Sequence, residues 1–561
     1  MDRRSLLAIV LSILVILAFN FFLQPKNPAP LLFTGADEML QATGATADSP
    51  GTSTANPLDS NADLLAPDSS SAGIPRIDIG LLPTKEAVPT TIPISVDGVE
   101  ARFTSMGGAI ESWRLIHFPA PGGQVEMVRS GPEPHAVLHL GDREINLNQP
   151  IYASTVEPID GGGQLLTFRA GEPGGIEVVK RYRLTPESPL YEFEIELRGL
   201  PISSGDSWLE VGWAGGLPPA EPQAETDRQA FGAVVAVGKD VQRIGAGSFK
   251  KENRKEVPGQ IHWVAARNKY FMAALVPPPE TVTAAAAVGN AKDHVAGALL
   301  RLPISGAGEF RQSVRLYLGP IDYWQLKKLG LGLEYAVDLG WKIILPVAQL
   351  LLWALNAGYN LIPNYGIVII ILSGLTRLLF YPLTQISMRS MRAMQEIQPE
   401  MERLRKKYEK DPQELNKRVF ALYREHKVNP VSGCLPLLLQ MPVFFALYSV
   451  LANSVELRQA PFVAWITDLS APDTLMTIGG FAIHVLPVLM SLSMFWQQKL
   501  TPTDPRQAPV MLLMPFMMLF FFYKVPSGLT LYWTVTNLFS VAQQYQMNRE
   551  NKARAAVMKT G

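Results

Sequence analysis

Cysteine is almost absent: Cys434 is the single one in 561 residues. That excludes an internal disulfide framework and a cysteine-based zinc cluster. No cysteine follows the first apolar run, so an N-terminal lipoprotein anchor is excluded too. Charge is scarce as well. Asp, Glu, Lys and Arg make up 18%, below the roughly 25% of soluble domains. Neither sign dominates, since 50 basic residues face 50 acidic ones, which argues against a nucleic-acid-binding polycation. No HExxH zinc motif occurs; His135 and His139 have the spacing but lack the Glu and sit in strand-like sequence. The stretch 232–240 is one residue too long for a nucleotide loop and carries Asp240 where magnesium needs Ser or Thr. Ser373 and His484 are the one tempting pair for an intramembrane protease, and a lone membrane histidine is more often structural. Bond-making chemistry, a cofactor and a metal are therefore not expected.

What the chain has in abundance is apolar sequence, 47% of residues with a mean hydropathy of +0.11. Residues 5–23 run almost without interruption after Arg3 and Arg4, long enough for one bilayer crossing. A cleaved signal peptide would end in small residues; this run ends in Phe21, Phe22 and Leu23, which favours a retained anchor. Five further stretches, near 362–383, 433–452, 477–496, 509–524 and 527–546, predict six transmembrane helices in all. Arg389, Arg392, Lys499, Arg506, Arg549 and Lys552 then fall on the inner side, as the positive-inside rule requires, with both termini cytoplasmic.

Between the first two spans the pattern changes twice. Residues 24–90 are rich in Pro, Ala, Ser, Thr and Gly and read as a disordered exported linker. Residues 91–319 alternate with period two. Ile92, Ile94 and Val96 lead to a turn at Asp97-Gly98, then Val99, Ala101 and Phe103 resume, a hairpin signal. Tyr191, Phe193, Ile195 and Leu197 alternate with Glu192, Glu194, Glu196 and Arg198. A large antiparallel β-sandwich is expected. Residues 320–361, with Trp324, Trp341 and Trp353 and a break at Pro346, predict amphipathic helices on the outer membrane face, leading into the second span at 362–384.

Arg377 is the most informative residue. It lies inside the second apolar stretch, about two turns from its cytoplasmic end, and a charge at mid-bilayer costs about 3 kcal/mol on insertion scales. No Asp or Glu lies well inside another span to pair with it, which leaves snorkelling or a water-filled recess. Ser373 lies one turn earlier on the same face. Gln440, Asn537, Gln543 and Gln544 supply further polar groups for a recess open to the cytoplasm, with Met441, Phe444, Tyr532 and Trp533 as its apolar wall.

Residues 385–429 carry eleven Lys and Arg against seven Asp and Glu. Ile397, Met401, Leu404 and Tyr408 make one helical stripe; Asp411-Pro412-Gln413-Glu414 restarts a helix as a capping box, and Leu415, Val419 and Leu422 make the second stripe. This predicts a cytoplasmic helical hairpin. Its basic residues, Arg403, Arg405, Lys406, Lys407, Lys417 and Arg418, either solvate the loop or dock an anionic partner such as lipid head groups or ribosomal RNA. Residues 430–547 hold spans three to six, and 548–561 a basic cytoplasmic tail.

These residues resemble one family, the bacterial YidC membrane protein insertases, relatives of the mitochondrial and chloroplast insertases. FTSMGGAIESW at 103–113 and HWVAARNKYF at 262–271 carry the likeness in the exported region. TRLLFYPLTQISMRSMRAMQEIQPEM at 376–401, NPVSGCLPLLLQMPVFFALYSVL at 429–451, SVELRQAPF at 454–462 and PSGLTLYWTVTNLFSVAQQ at 526–544 carry it in the rest. The resemblance implies a five-helix core with a hydrophilic groove closed on the outer side, a periplasmic β-supersandwich, and an inner-membrane location. Arg377 matches the groove arginine. Ser373 stands where relatives often have Thr, and Trp533 where Tyr is frequent beside Tyr532. The clients implied are nascent membrane proteins, handled alone or beside the Sec translocon and the ribosome in the phospholipid bilayer, with no small-molecule substrate. A small-molecule or ion transporter would explain Arg377, but no inverted repeat is visible. An envelope scaffold would explain 91–319 and leave Arg377 without purpose.

Overall fold

The computed structural model describes residues 88–171, 175–186, 188–201, 206–222, 224–305, 308–426, 435–500 and 508–560. The expected anchor at 1–23, nearly all of the 24–90 linker and Cys434 lie outside the described residues.

From Thr91 to Pro320 the chain forms antiparallel sheets of four, nine and six strands, with one short helix, α1 (Ala224–Gln229). The first hairpin closes by pairing Val96 with Val99 around Asp97-Gly98, where Gly98 takes φ 72, a conformation open to glycine at no steric cost. In the strand Leu190–Leu200, Tyr191, Phe193, Ile195 and Leu197 turn inward. Glu192 and Glu194 turn outward to Arg183, Arg181 and Arg311. Glu196 shares their face yet is buried, held by Arg181 and Arg198. One core, with Trp113, Trp213, Phe168, Tyr182 and Phe193, joins the sheets.

One inner strand of the nine-stranded sheet has no polar face. Every residue of Phe271–Val276 is buried. Phe271, Ala273 and Leu275 enter the core just described, whereas Met272, Ala274 and Val276 enter a second one with Trp263 and Ala265. A strand covered on both sides reads as a continuous apolar run. The second cover is helical. It begins with α2 (Tyr323–Lys328), N-capped by Asp322, and a 3₁₀ turn at Leu333–Ala336. Their Leu326, Leu333 and Ala336 are fully buried in the second core, and the Arg267 guanidinium donates to the Ala336 carbonyl at 2.7 Å. One side of this stretch therefore packs on the β-rich domain. Next comes α3 (Leu345–Leu361). Pro346 sits in its first turn and starts the helix instead of breaking it. Its Ala348, Leu351, Leu352 and Leu355 are buried while Leu350 and Trp353 are exposed.

The remaining helices are α4 (Tyr365–Leu379), α5 (Tyr381–Glu396), α6 (Gln398–Lys407), α7 (Pro412–Glu425), α8 (Leu435–Asn453), α9 (Leu486–Leu500), α10 (Ala508–Phe522) and α11 (Ser527–Thr560). Among the described residues no single helix is both long and apolar enough to cross a bilayer; α4 and the start of α5, bent by 59° at Phe380, pass that test together. Of the six expected spans the structure shows the coarser outline, a helical region after a β-rich one. The reasons are local. The second apolar stretch is broken at Phe380. The stretch at 477–496 is not one helix: Thr474–Ile478 and Phe481–His484 pair as a hairpin around Gly479-Gly480, both at positive φ, and helix begins only at Leu486. Two adjacent glycines between β-formers make a turn, a signal that counting apolar length ignores. The last helix continues through 548–560, where a separate tail was expected.

Around the predicted cytoplasmic hairpin, α6 and α7 close on Ile397, Met401 and Leu422, with Leu404 and Val419 packed beside them. Asp411 caps α7, accepting from the amides of Gln413 and Glu414 at 3.2 and 3.1 Å. The reciprocal half of the capping box does not form, because the Glu414 carboxylate takes the Arg418 guanidinium at 2.9 Å.

Candidate functional site

Arg377 stands in the last turn of α4, two residues before the helix ends. The bend places the charge in a last helical turn rather than at a helix centre, and a helix C-terminus favours a cation. The start of α4 is tied to the β-rich side, since Asn364 bonds the Phe462 carbonyl in the loop that reaches the β-sheets. Twelve residues on, Arg377 lies about 18 Å along the axis. Its Nη2 donates to Gln543 Oε1 at 2.8 Å. Gln543 is sixteen residues into α11, about 24 Å from that helix's start, so the two meet at one depth. Arg377 Nε is buried without a hydrogen-bond partner, and so is Gln543 Nε2. Among the described residues no carboxylate pairs with Arg377.

The other expected recess residues divide. Ser373 is fully buried, and its hydroxyl donates to the Ile369 carbonyl of its own helix at 2.7 Å. Gln440 on α8 donates to the Tyr532 hydroxyl on α11 at 2.7 Å. Asn537 donates to the Ser493 hydroxyl on α9 at 3.1 Å. Phe444 meets Trp533 edge to face at 5.0 Å, and Phe522 closes the group at 5.6 Å from Trp533. Met441, next to Gln440 on α8, is half-buried. The polar groups thus form separate cross-helix pairs, α4 to α11, α8 to α11 and α9 to α11, with α11 as the shared partner. Buried amides and hydroxyls need such partners.

On the α6–α7 pair, Arg403, Lys406, Lys407, Lys417 and Arg418 are exposed and Arg405 is half-buried. Arg418 is engaged by Glu414, and Lys407 lies over the Tyr408 ring at 5.6 Å.

The YidC periplasmic domain model matches residues 91–354, and the 60Kd inner membrane protein model matches 357–554. The membrane protein insertase YidC of Syntrophus aciditrophicus is 34% identical over 98% of this chain and all of its own length. That of Pelobacter propionicus is 32% identical over 98% of this chain and 99% of its own. The chain belongs to the YidC membrane protein insertase family. A solved structure described as an active YidC insertase with its first transmembrane domain resolved aligns with 83% of this chain and 95% of its own, at 19% identity and a TM-score of 0.36. Family membership makes this an inner-membrane chain with a periplasmic β-rich domain and a helical insertase region.

Two partners escaped the sequence reading. Ser493 gave no signal beyond being a hydroxyl in an apolar helix. Phe522 ends an all-apolar run in which no position stands out. Gln543 was visible as polar company, but its pairing with Arg377 was not.

Proposed function

We propose that the chain inserts nascent membrane proteins by lending their polar tails a hydrated path to Arg377, with six spans and both termini in the cytoplasm. The observation that carries this reading is the Arg377 guanidinium, held by one neutral amide and no acid among the described residues. A cation satisfied by a carboxylate would be closed to a client; one held by Gln543 keeps its charge available. A client's acidic tail group at 4 Å gains about 4 kcal/mol at an effective dielectric of 20, and less where water fills the recess. The client's apolar segment then leaves past Phe444, Tyr532 and Trp533 into lipid, driven by burial of its own surface. Lipid burial and the membrane potential supply the drive. The exposed basic residues of α6 and α7 suit an anionic partner, which we take to be the ribosome, and longer clients are handled beside the Sec translocon.

The test is insertion of single-span clients into vesicles holding the purified chain. Arg377→Ala is expected to lose acidic-tailed clients at least tenfold more than neutral-tailed ones, and Arg377→Lys to keep most activity. Equal loss for both client types removes the electrostatic role.

A further inference from the structure

The hairpin at 474–484 leaves large apolar side chains uncovered. All five residues of Thr474–Ile478 are exposed, and Ile478 and Phe481, flanking the turn, are 62% and 63% exposed. Leu475 and Met476 are exposed too. The segment contains no Asp, Glu, Lys or Arg. Its base is pinned. The Asp473 carboxylate accepts from the amides of Val485 and Leu486 at 2.9 and 2.7 Å and from Trp465 at 3.1 Å. Tyr523, just past α10, donates to the Ala482 carbonyl at 2.6 Å and packs its ring on Phe481 and His484. A fixed base and a bare apolar tip make a rigid projection.

Its position decides what it meets. The hairpin follows the loop whose Arg458 reaches Glu221 of the β-rich domain, and it feeds directly into α9, so it lies at the periplasmic end of the helices. Its exposed side chains continue into the exposed Val488, Leu489, Leu492 and Trp496 of α9. We propose that this hairpin is a lipid-seated wedge, its tip lying in the outer leaflet at head-group depth beside α9 and α10. Depth follows from the backbone. A two-stranded hairpin has two unpaired edges, which the hydrocarbon centre does not tolerate, whereas the interfacial zone offers water and head groups to those edges and acyl chains to Leu475, Ile478 and Phe481. The proposal rests on the membrane residence of the helices.

The experiment uses the full chain in phosphatidylethanolamine–phosphatidylglycerol vesicles, with Cys434→Ser as background and a fluorophore on Ile478→Cys or Phe481→Cys. Leu492→Cys reports membrane residence, and Asp142→Cys, in an exposed turn of the six-stranded sheet, reports water. Labels at 478 and 481 are expected to be quenched about threefold more by lipid carrying a nitroxide near the head group than the label at 142, and to be shielded from aqueous iodide. Iodide quenching at 478 and 481 with lipid quenching at 492 overturns the wedge and leaves the membrane reading intact. Lack of lipid quenching at 492 overturns the membrane reading itself. Protection from both quenchers at 478 shows a protein occupant, a client or second copy, and also overturns the wedge.

Discussion

Arg458 and Glu221 are 237 residues apart in the chain and 2.5 Å apart in the fold. Arg458 comes from the loop after α8, Glu221 from the β-rich domain. The same guanidinium donates to the Pro119 and Ala220 carbonyls at 2.6 and 3.0 Å and lies over Phe271 at 5.3 Å. Tyr270 adds a bond to the Ala452 carbonyl at the end of α8. Burial raises the Glu221 carboxyl above its usual range despite this partner. The contact joins domain to helices through a desolvated charge cluster. Arg458→Ala is expected to weaken the joint by about 3–5 kcal/mol, because it leaves Glu221 buried and unpaired. Hydrogen exchange of the 454–462 amides reads it; unchanged protection would show that the apolar contacts hold the joint alone.

Gln543 is the residue through which Arg377 can be tuned without touching the charge. Gln543→Glu places an acid on the guanidinium at the position of the present 2.8 Å bond. Insertion of acidic-tailed clients is expected to fall about as far as in Arg377→Ala, since a paired cation no longer attracts a tail. Gln543→Leu, which leaves Arg377 more available, is expected to preserve it. A vesicle insertion assay run on both variants gives the answer, and the reverse ranking contradicts the role assigned to the free charge.

The aromatic group on α8, α10 and α11 carries packing energy. Trp533→Ala removes contacts with Phe444 and Phe522 and is expected to cost about 3–5 kcal/mol. Tyr532→Phe removes the hydroxyl that accepts from Gln440 and is expected to cost about 1 kcal/mol. Thermal unfolding in detergent should separate the two, and equal losses would mean that the hydrogen bond, not the ring, sets stability there.

Lys180 makes the stability of the β-rich domain rise on the alkaline side of neutrality. It is fully buried, donating to the carbonyls of Gly107 and Leu147 and to Asn148 Oδ1 at 2.7, 3.1 and 3.3 Å. Burial lowers its ammonium to about 7. Below that pH folded and unfolded chains are both protonated, and the cost of burying the charge is constant. Above it the unfolded chain alone keeps the proton, so stability rises with pH toward the ordinary lysine value. Between pH 7 and about 9.5 the gain is on the order of 3 kcal/mol. Lys180→Met is expected to flatten that rise in pH-dependent unfolding of the β-rich domain; a persistent slope would assign it elsewhere.

Much of this was legible in the chain. Period two at 92–103 and 191–197 marked strands because one face of each is polar, and the Asp97-Gly98 turn announced its own geometry. Asp411 was readable as a cap because capping is local. The reading failed where a partner decides the outcome. Phe271–Val276 gave no alternation because helices cover its second face, and the 474–484 hairpin passed as helix because both of its faces are apolar. The Arg377–Gln543 and Asn537–Ser493 bonds were illegible for the same reason: each joins helices whose rotation about their own axes depends on the whole bundle.

The last helix deserves a measurement of its own length. At 34 residues, α11 extends about 50 Å, some 20 Å more than the oily thickness of a bilayer. Its start is fixed against the segment after α8, where the Ser527 amide donates to the Ala471 carbonyl at 2.7 Å. In the topology proposed above, the surplus emerges on the cytoplasmic side as a stiff rod sharing one axis with Gln543. A push on the far end of that rod would be felt at the Arg377 contact without any intervening joint.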